Sequence, residues 1–259
     1  MGWTMSDKIE PNNEIKESDY NFDVWYAEAW SRRQGDFSFN LANNLIRYLK
    51  DKNLMIRSVL DICSGSGEFV SVLRNICTDC VGVDNADGYL EYVRPKFPDI
   101  EFKKVDLLYE FDLKRKFDLV SCNRDVVNMF TNWTQWQTMF NTVYKHLNKR
   151  GIFIFDFYTK NKLDGWTETI FEQGDDLDYI SKVSQNNGLC VMNETYYVKE
   201  TNILCRKTGD IMVEAWFETS QIINGLEEAG FRDIKFIDIE FNEIKDYKDL
   251  NRIHIIARK

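Results

Sequence analysis

Three kinds of residue in this chain have the type and spacing for ligand chemistry: glycines in a turn after an apolar run, acids at the ends of further apolar runs, and a polar segment beyond them. Residues 58 to 69, Ser-Val-Leu-Asp-Ile-Cys-Ser-Gly-Ser-Gly-Glu-Phe, read as a buried strand, a turn and the start of a helix. Gly65 and Gly67 carry no Cβ, so the N–H groups at the helix start are open to a polar or anionic ligand. Val81-Gly82-Val83-Asp84 is a second apolar run, and its terminal carboxylate suits both hydroxyls of a ribose. Asp61 closes the first run, and Asp106 and Leu107 follow a third. A fourth, from Phe117, leads into Ser121-Cys122-Asn123-Arg124-Asp125-Val126-Val127-Asn128.

The separation of Gly65 and Asp84, 84 − 65 = 19 positions, fits an NAD site and an S-adenosyl-L-methionine (SAM) site equally well. A dinucleotide fingerprint wants a third glycine near position 70 for close helix–strand packing, and that residue is Val70.

These residues need a scaffold that brings strand ends together. Strands are expected near 58–62, 80–84, 101–105, 117–122 and 151–157, with helices between them, notably Trp133 to Leu147. Alternating strands and helices imply a parallel sheet with helices on both faces, which binds ligands at the carboxyl ends of its strands. Leu41, Leu45, Ile46 and Leu49 mark a helix after an aromatic arm that starts at Tyr20. Between Asp164 and Glu218 the period changes to two. Segments 178–184, 189–200 and 211–218 are separated by Asn186-Asn187-Gly188 and Thr208-Gly209-Asp210, which read as hairpin turns. Ser220 to Gly230 reads as a helix with a glycine stop, and Phe231 to Phe241 and Arg252 to Arg258 as the last two strands. The expected layout is a tail and aromatic arm or helix at 1–52, a ligand-binding core at 53–163, an antiparallel β insertion serving as substrate lid at 164–218, and completion of the core sheet at 219–259.

The ordered set of motifs resembles the class I SAM-dependent methyltransferases, well over residues 55–160 and in outline over 219–259. The resemblance implies an α/β fold: a Rossmann-like seven-stranded, mostly parallel sheet with helices on both faces, plus an antiparallel β insertion. It implies that Asp61, Gly65 and Gly67 carry the methionine part of SAM, Asp84 the ribose, Asp106 the adenine amino group and Leu107 the adenine face. Cys63, Ser64, Asn85, Cys122 and Asn123 stand beside them as cofactor-binding candidates, with Cys63 in the place of the family's usual first glycine. N-terminal segments of the family close over SAM, which gives that role to Tyr26, Trp30 and Arg33 in the arm, alongside Tyr20 and Trp25.

Residues 121–128 are similar to the Asp-x-x-Asn loop of small-molecule methyltransferases, including sugar-amine and glycine-type N-methyltransferases. They lack the Asn-Pro-Pro-Tyr type of loop that grips planar amides. Tyr26, Asp125 and Asp156 are the candidate catalytic residues; Asp156, in Phe155-Asp156-Phe157-Tyr158, is placed either to pair with a substrate cation or to cap the turn. The expected reaction is methyl transfer from SAM to a small-molecule acceptor, nitrogen before oxygen, with release of S-adenosyl-L-homocysteine. An O-methyltransferase, an NAD-dependent oxidoreductase and a non-catalytic SAM-binding protein remain as alternatives.

Composition narrows the partners. With 42 acids against 33 bases the net charge is −9, which opposes nucleic acid, and no basic stripe offsets it. No run of about 18 apolar residues suggests a membrane span, and Met1 to Ser18 lacks the apolar core of a signal peptide, so a cytoplasmic monomer or homodimer is expected. The six cysteines show no disulfide framework. Cys77-x-x-Cys80 has no second pair at zinc-finger spacing, so no metal is expected, and His146 and His254 read as structural.

Overall fold

In a computed structural model, residues 22–201 and 204–259 are described; Tyr20 and the tail expected at Met1 to Ser18 lie outside them. The chain opens with α1, Val24–Asp51, then runs β1 (Ser58–Ile62), α2 (Glu68–Leu73), β2 (Asp79–Asp84), α3 (Asp87–Lys96), β3 (Glu101–Lys104), β4 (Phe117–Cys122), α4 (Trp133–His146) and β5 (Leu147–Tyr158). After the short α5 (Lys160–Leu163), β6 (Glu168–Gln173), β7 (Leu177–Asn186), β8 (Leu189–Thr201) and β9 (Leu204–Glu214) form a separate antiparallel sheet. Finally α6 (Thr219–Ala229), β10 (Arg232–Ile237) and β11 (Arg252–Arg258) complete the first sheet.

That first sheet has the order β10-β11-β5-β4-β1-β2-β3, parallel from β3 to β5, with β11 antiparallel to both neighbours. The dinucleotide order 3-2-1-4-5-6 has no such reversed strand between its fifth and sixth members.

Both faces of the central strands are apolar, as helices on both sides demand. On one face of β5, Phe153, Phe155 and Phe157 stack at 4.8 and 6.0 Å, beneath Trp136 and Phe140 of α4. On the other, Ile152 and Ile154 join Leu41, Leu45 and Leu49 of α1. Each such large side chain contributes about 1.5–3 kcal/mol when fully buried. A capping box between Asn132 and Gln135 starts α4, and Gly230, at φ 109°, ends α6.

Three expectations change. The aromatic arm is not separate from the first helix: Asp23 caps a single helix that carries Tyr26 through Leu49 on one buried side. The Tyr26 hydroxyl bonds Glu194 of β8, a contact across 168 positions that no local pattern reveals. Thr208-Gly209-Asp210 is not a turn but the middle of β9, paired with Glu194 to Tyr196. Gly209 is there because a Cβ would approach the Glu194 carbonyl to 2.2 Å, a close backbone crossing inside a strand. Finally, β9 stops at Glu214 rather than Glu218, and β6, outside the expected strands, pairs with β7.

Candidate functional site

A cavity opens at the carboxyl ends of β1, β2 and β4, between them and α1, and the insertion closes one side with Met212 and Glu214 of β9. Its floor is the turn after β1, where Cys63, Gly65 and Gly67 all have positive φ, 50°, 50° and 80°. Cys63 therefore takes the left-handed backbone that glycine favours, a strained choice for a side chain. Gly65 lines the cavity, and a Cβ there would meet only the edge of the Tyr89 ring, at 3.9 Å. Gly67 does not line it: it turns the chain by donating its N–H to Ser64 O at 2.9 Å, and a Cβ there would press on Val93 and Phe97 at 3.1 Å.

Asp84 organises this turn. Its Oδ2 accepts the Gly65 N–H at 2.8 Å and its Oδ1 the Ala86 N–H at 3.0 Å, while burial raises its proton affinity against those two bonds. Asp61 accepts the Ser121 hydroxyl at 2.7 Å, and burial pushes its pKa up to about 7. Asn85, Asp106 and Leu107 complete the lining beyond β2 and β3, with the Asp106 carboxylate holding the Leu108 N–H at 3.0 Å.

The loop after β4 forms the opposite wall. Arg124 and Asp125 have φ of 71° and 55°, two successive left-handed residues without glycine. Asp156 stabilises them: one carboxylate oxygen accepts the Arg124 N–H at 2.6 Å and the other the Asp125 N–H at 3.0 Å, and Arg252 of β11 bridges Asp156 at 3.2 Å. Arg252 also pairs with Asp125. Asn128 ties the same loop to β5 and the insertion through Tyr158 and Ala215. From α1, the rings of Tyr26 and Trp30 reach the cavity, while the Tyr26 hydroxyl donates to the buried Glu194 at 2.5 Å.

Of the residues expected at the site, Tyr26, Trp30, Asp61, Cys63, Ser64, Gly65, Asp84, Asn85, Asp106, Leu107, Asn123 and Asp125 line this one cavity. Four do not. Besides Gly67, Asp156 is spent on backbone N–H groups and Arg252, so the turn-capping alternative describes it and the substrate-cation one does not. Arg33 lies over Tyr179 and pairs with Glu172 of β6, because the insertion covers that part of α1. Cys122 is fully buried in the sheet core behind Cys63.

Among the other described tryptophans, Trp136 is buried in the core, Trp133 lies against Gly225, and Trp25, Trp166 and Trp216 sit beneath cations. His146 is bonded on both ring nitrogens, to the Leu113 N–H and the Thr142 carbonyl, and lies outside the cavity. The thiols of Cys77 and Cys80 face each other at 2.9 Å in the core. Sequence reasoning missed Tyr89, Phe130, Met212 and Glu214 of the lining. Glu214 ends a period-two strand like any other, so nothing local marks it.

Residues 59–151 match the family described as "Methyltransferase domain". Over that stretch the chain is similar to methyltransferase domains. A protein of Geobacillus sp. (strain WCH70), itself provisionally described as a methyltransferase, is 24% identical over 211 residues, 78% of this chain and 85% of the relative. Among solved structures, a SAM-dependent methyltransferase from Clostridium acetobutylicum ATCC 824 superposes with a TM-score of 0.78 at 20% identity, over 90% of this chain and 97% of that one. The sugar N-methyltransferase KedS8 from Streptoalloteichus superposes at 0.72 and 17%, over 100% and 99%. These likenesses establish a Rossmann-like methyltransferase fold with an antiparallel insertion.

The lining of this cavity fits SAM. Ser64 Oγ and both amide atoms of Asn123 are buried without a hydrogen-bond partner, and Gly65 leaves space for a ligand to touch backbone. Buried polar atoms without partners are uncommon in folded proteins, and here they border a cavity. Among the described residues no cluster of His, Cys, Asp and Glu is suited to a metal ion, and no helix is long and apolar enough to cross a membrane.

Proposed function

We propose that this protein transfers a methyl group from SAM to the nitrogen of a small-molecule acceptor. The observation that carries the reading is one cavity lined by two chemically different groups: the glycine turn with Asp84 and Asp106, and Asp125 of the loop after β4 with Glu214 of β9, with Tyr26 and Trp30 of α1 in the same lining.

In this reading Asp61, Ser64 and Gly65 hold the methionine part of SAM, Asp84 and Asn85 the ribose, and Asp106 and Leu107 the adenine. SAM supplies a methyl group on a sulfonium, a good leaving group, so alignment and exclusion of water are the enzyme's main tasks. Positioning of this kind lowers barriers by roughly 7–11 kcal/mol in favourable cases. Tyr26 and Trp30 exclude water and present ring faces to positive charge, worth about 0.5–2 kcal/mol. Asp156 and Arg252 hold Asp125 in place. The insertion at 164–218 acts as the lid on the core at 53–163. Nitrogen is preferred to oxygen because the acceptor end is acidic, and the likeness to a sugar N-methyltransferase supports the same choice.

Parallel calorimetric titrations with SAM, S-adenosyl-L-homocysteine and NAD, followed by a methyl-transfer screen over paired amines and alcohols, test this. Binding of the first two and transfer to amines is expected. Binding of NAD alone, or transfer only to alcohols, overturns it.

A further inference from the structure

Glu214 is the lining residue that neither the cofactor roles nor the fold account for. It ends β9, is 2% exposed, faces the cavity, and its Oε2 has no hydrogen-bond partner. Leaving a buried carboxyl oxygen unpaired costs roughly 1–3 kcal/mol, so the fold alone would favour an apolar residue here. Beside it stands Asp125, close enough for the two carboxyls to share a hydrogen bond. Asp125 is held from behind by Arg252. The amide of Asn123, also unpartnered, lines the same cavity.

We infer that Asp125 and Glu214 together form the subsite for the acceptor's ammonium group, with Glu214 Oε2 accepting its N–H and the pair taking the proton that the nitrogen must shed before it can attack. This rests on the methyl-transfer reading above and adds to it a named proton acceptor.

The charges agree. Burial pushes the Asp125 pKa to about 6 and holds that of Glu214 well above the usual carboxylate range, the Asp125 charge raising it further, so Glu214 is the member of the pair that holds a shared proton more tightly. The other charged or titratable groups acting on the pair are Arg124 in the loop, Asp156 and Tyr158 of β5, Glu194 of β8, Arg252 of β11 and, on Glu214, Lys162 of α5 and Cys190 of β8. Binding of an ammonium expels the shared proton to solvent. One N–H proton then returns to the pair, leaving a neutral amine whose lone pair bonds to the methyl carbon as the carbon–sulfur bond breaks with its electrons on sulfur. The pair ends with the one proton it began with, and the product departs as a methylated ammonium.

Methylammonium is the smallest probe of this subsite, and S-adenosyl-L-homocysteine leaves room for it by lacking the methyl group. Its affinity for the S-adenosyl-L-homocysteine-loaded protein, measured by saturation-transfer NMR from pH 6 to 8.5, is expected to rise with pH in the wild type. In Glu214→Gln it should be about tenfold weaker at pH 8 and nearly flat with pH, with affinity for S-adenosyl-L-homocysteine and melting temperature retained. Equal affinity in both proteins, or no binding to either, overturns the carboxyl subsite, as does a Glu214→Gln variant that melts several degrees lower, which would make the carboxyl structural. Failure of S-adenosyl-L-homocysteine itself to bind the wild type would instead sink the methyltransferase reading.

Discussion

At the β1–β2 end of the cavity the ligand-facing groups come from short contiguous stretches, 61–65, 84–85 and 106–107, and much of what they offer is backbone shaped by glycine and by one acid. At the other end Tyr26, Asp125 and Glu214 come from α1, the loop after β4 and β9, and what they offer is side chains held by further side chains: Glu194, Asp156 and Arg252. The first end is a local device that any sequence with the right turn can build. The second exists only when the insertion, α1 and β11 have all docked, and it can vary without disturbing the first.

That contrast can be broken by experiment. The largest expected effect is on pH-dependent stability at the cofactor end. Asp61 rises from an ordinary 3.8 to about 7, so the folded form binds its proton more tightly. The corresponding stability is fully present below about pH 4 and is lost as pH rises through 7, about 4 kcal/mol in all. Asp61→Asn should lose that dependence, seen in denaturant midpoints at pH 4, 5.5 and 7.5; identical pH profiles for the two proteins would refute the burial argument.

Next, Asp156→Ala should destabilise the fold by about 3 kcal/mol, because the Arg124 and Asp125 N–H groups lose their acceptor and Arg252 half its compensation. SAM affinity should change less than threefold. A variant that keeps its stability but loses SAM would show that the two ends are not separable.

Asp84→Ala should act chiefly on the ligand, weakening SAM binding by about 100-fold or more, as expected for the loss of roughly two hydrogen bonds to an ionised group at 1.5–3 kcal/mol each. The fold should persist by circular dichroism, and wild-type affinity would sink the ribose assignment. The smallest effect is expected for Tyr26→Phe. Glu194 keeps bonds from Tyr179 and Tyr196, so the melting temperature should drop by roughly 2–4 °C, about 1 kcal/mol for a protein of this size. A much larger drop would mean that this one hydroxyl docks the insertion.

Much of this was legible in the sequence. Alternating apolar runs and helical spacings give the sheet and its helices, since each strand buried on both faces must read as apolar throughout. The glycine turn, Asp84 and Asp106 could be placed at strand ends because each motif is contiguous, and a strand end's position follows from the strand itself. Even Cys63, the departure from glycine, did not hide the turn, whose left-handed backbone survives at φ 50°. What the sequence could not decide is which carboxylates meet. Asp156 and Asp125 look alike in one dimension, yet one serves backbone and the other faces the cavity. Glu214 carries no local mark at all, and Gly209 reads as a turn until a neighbouring strand crosses at its Cα. Those outcomes depend on contacts between segments far apart in sequence, and the energies that select them, desolvation and hydrogen bonding in a shared interior, exist only once those segments have packed.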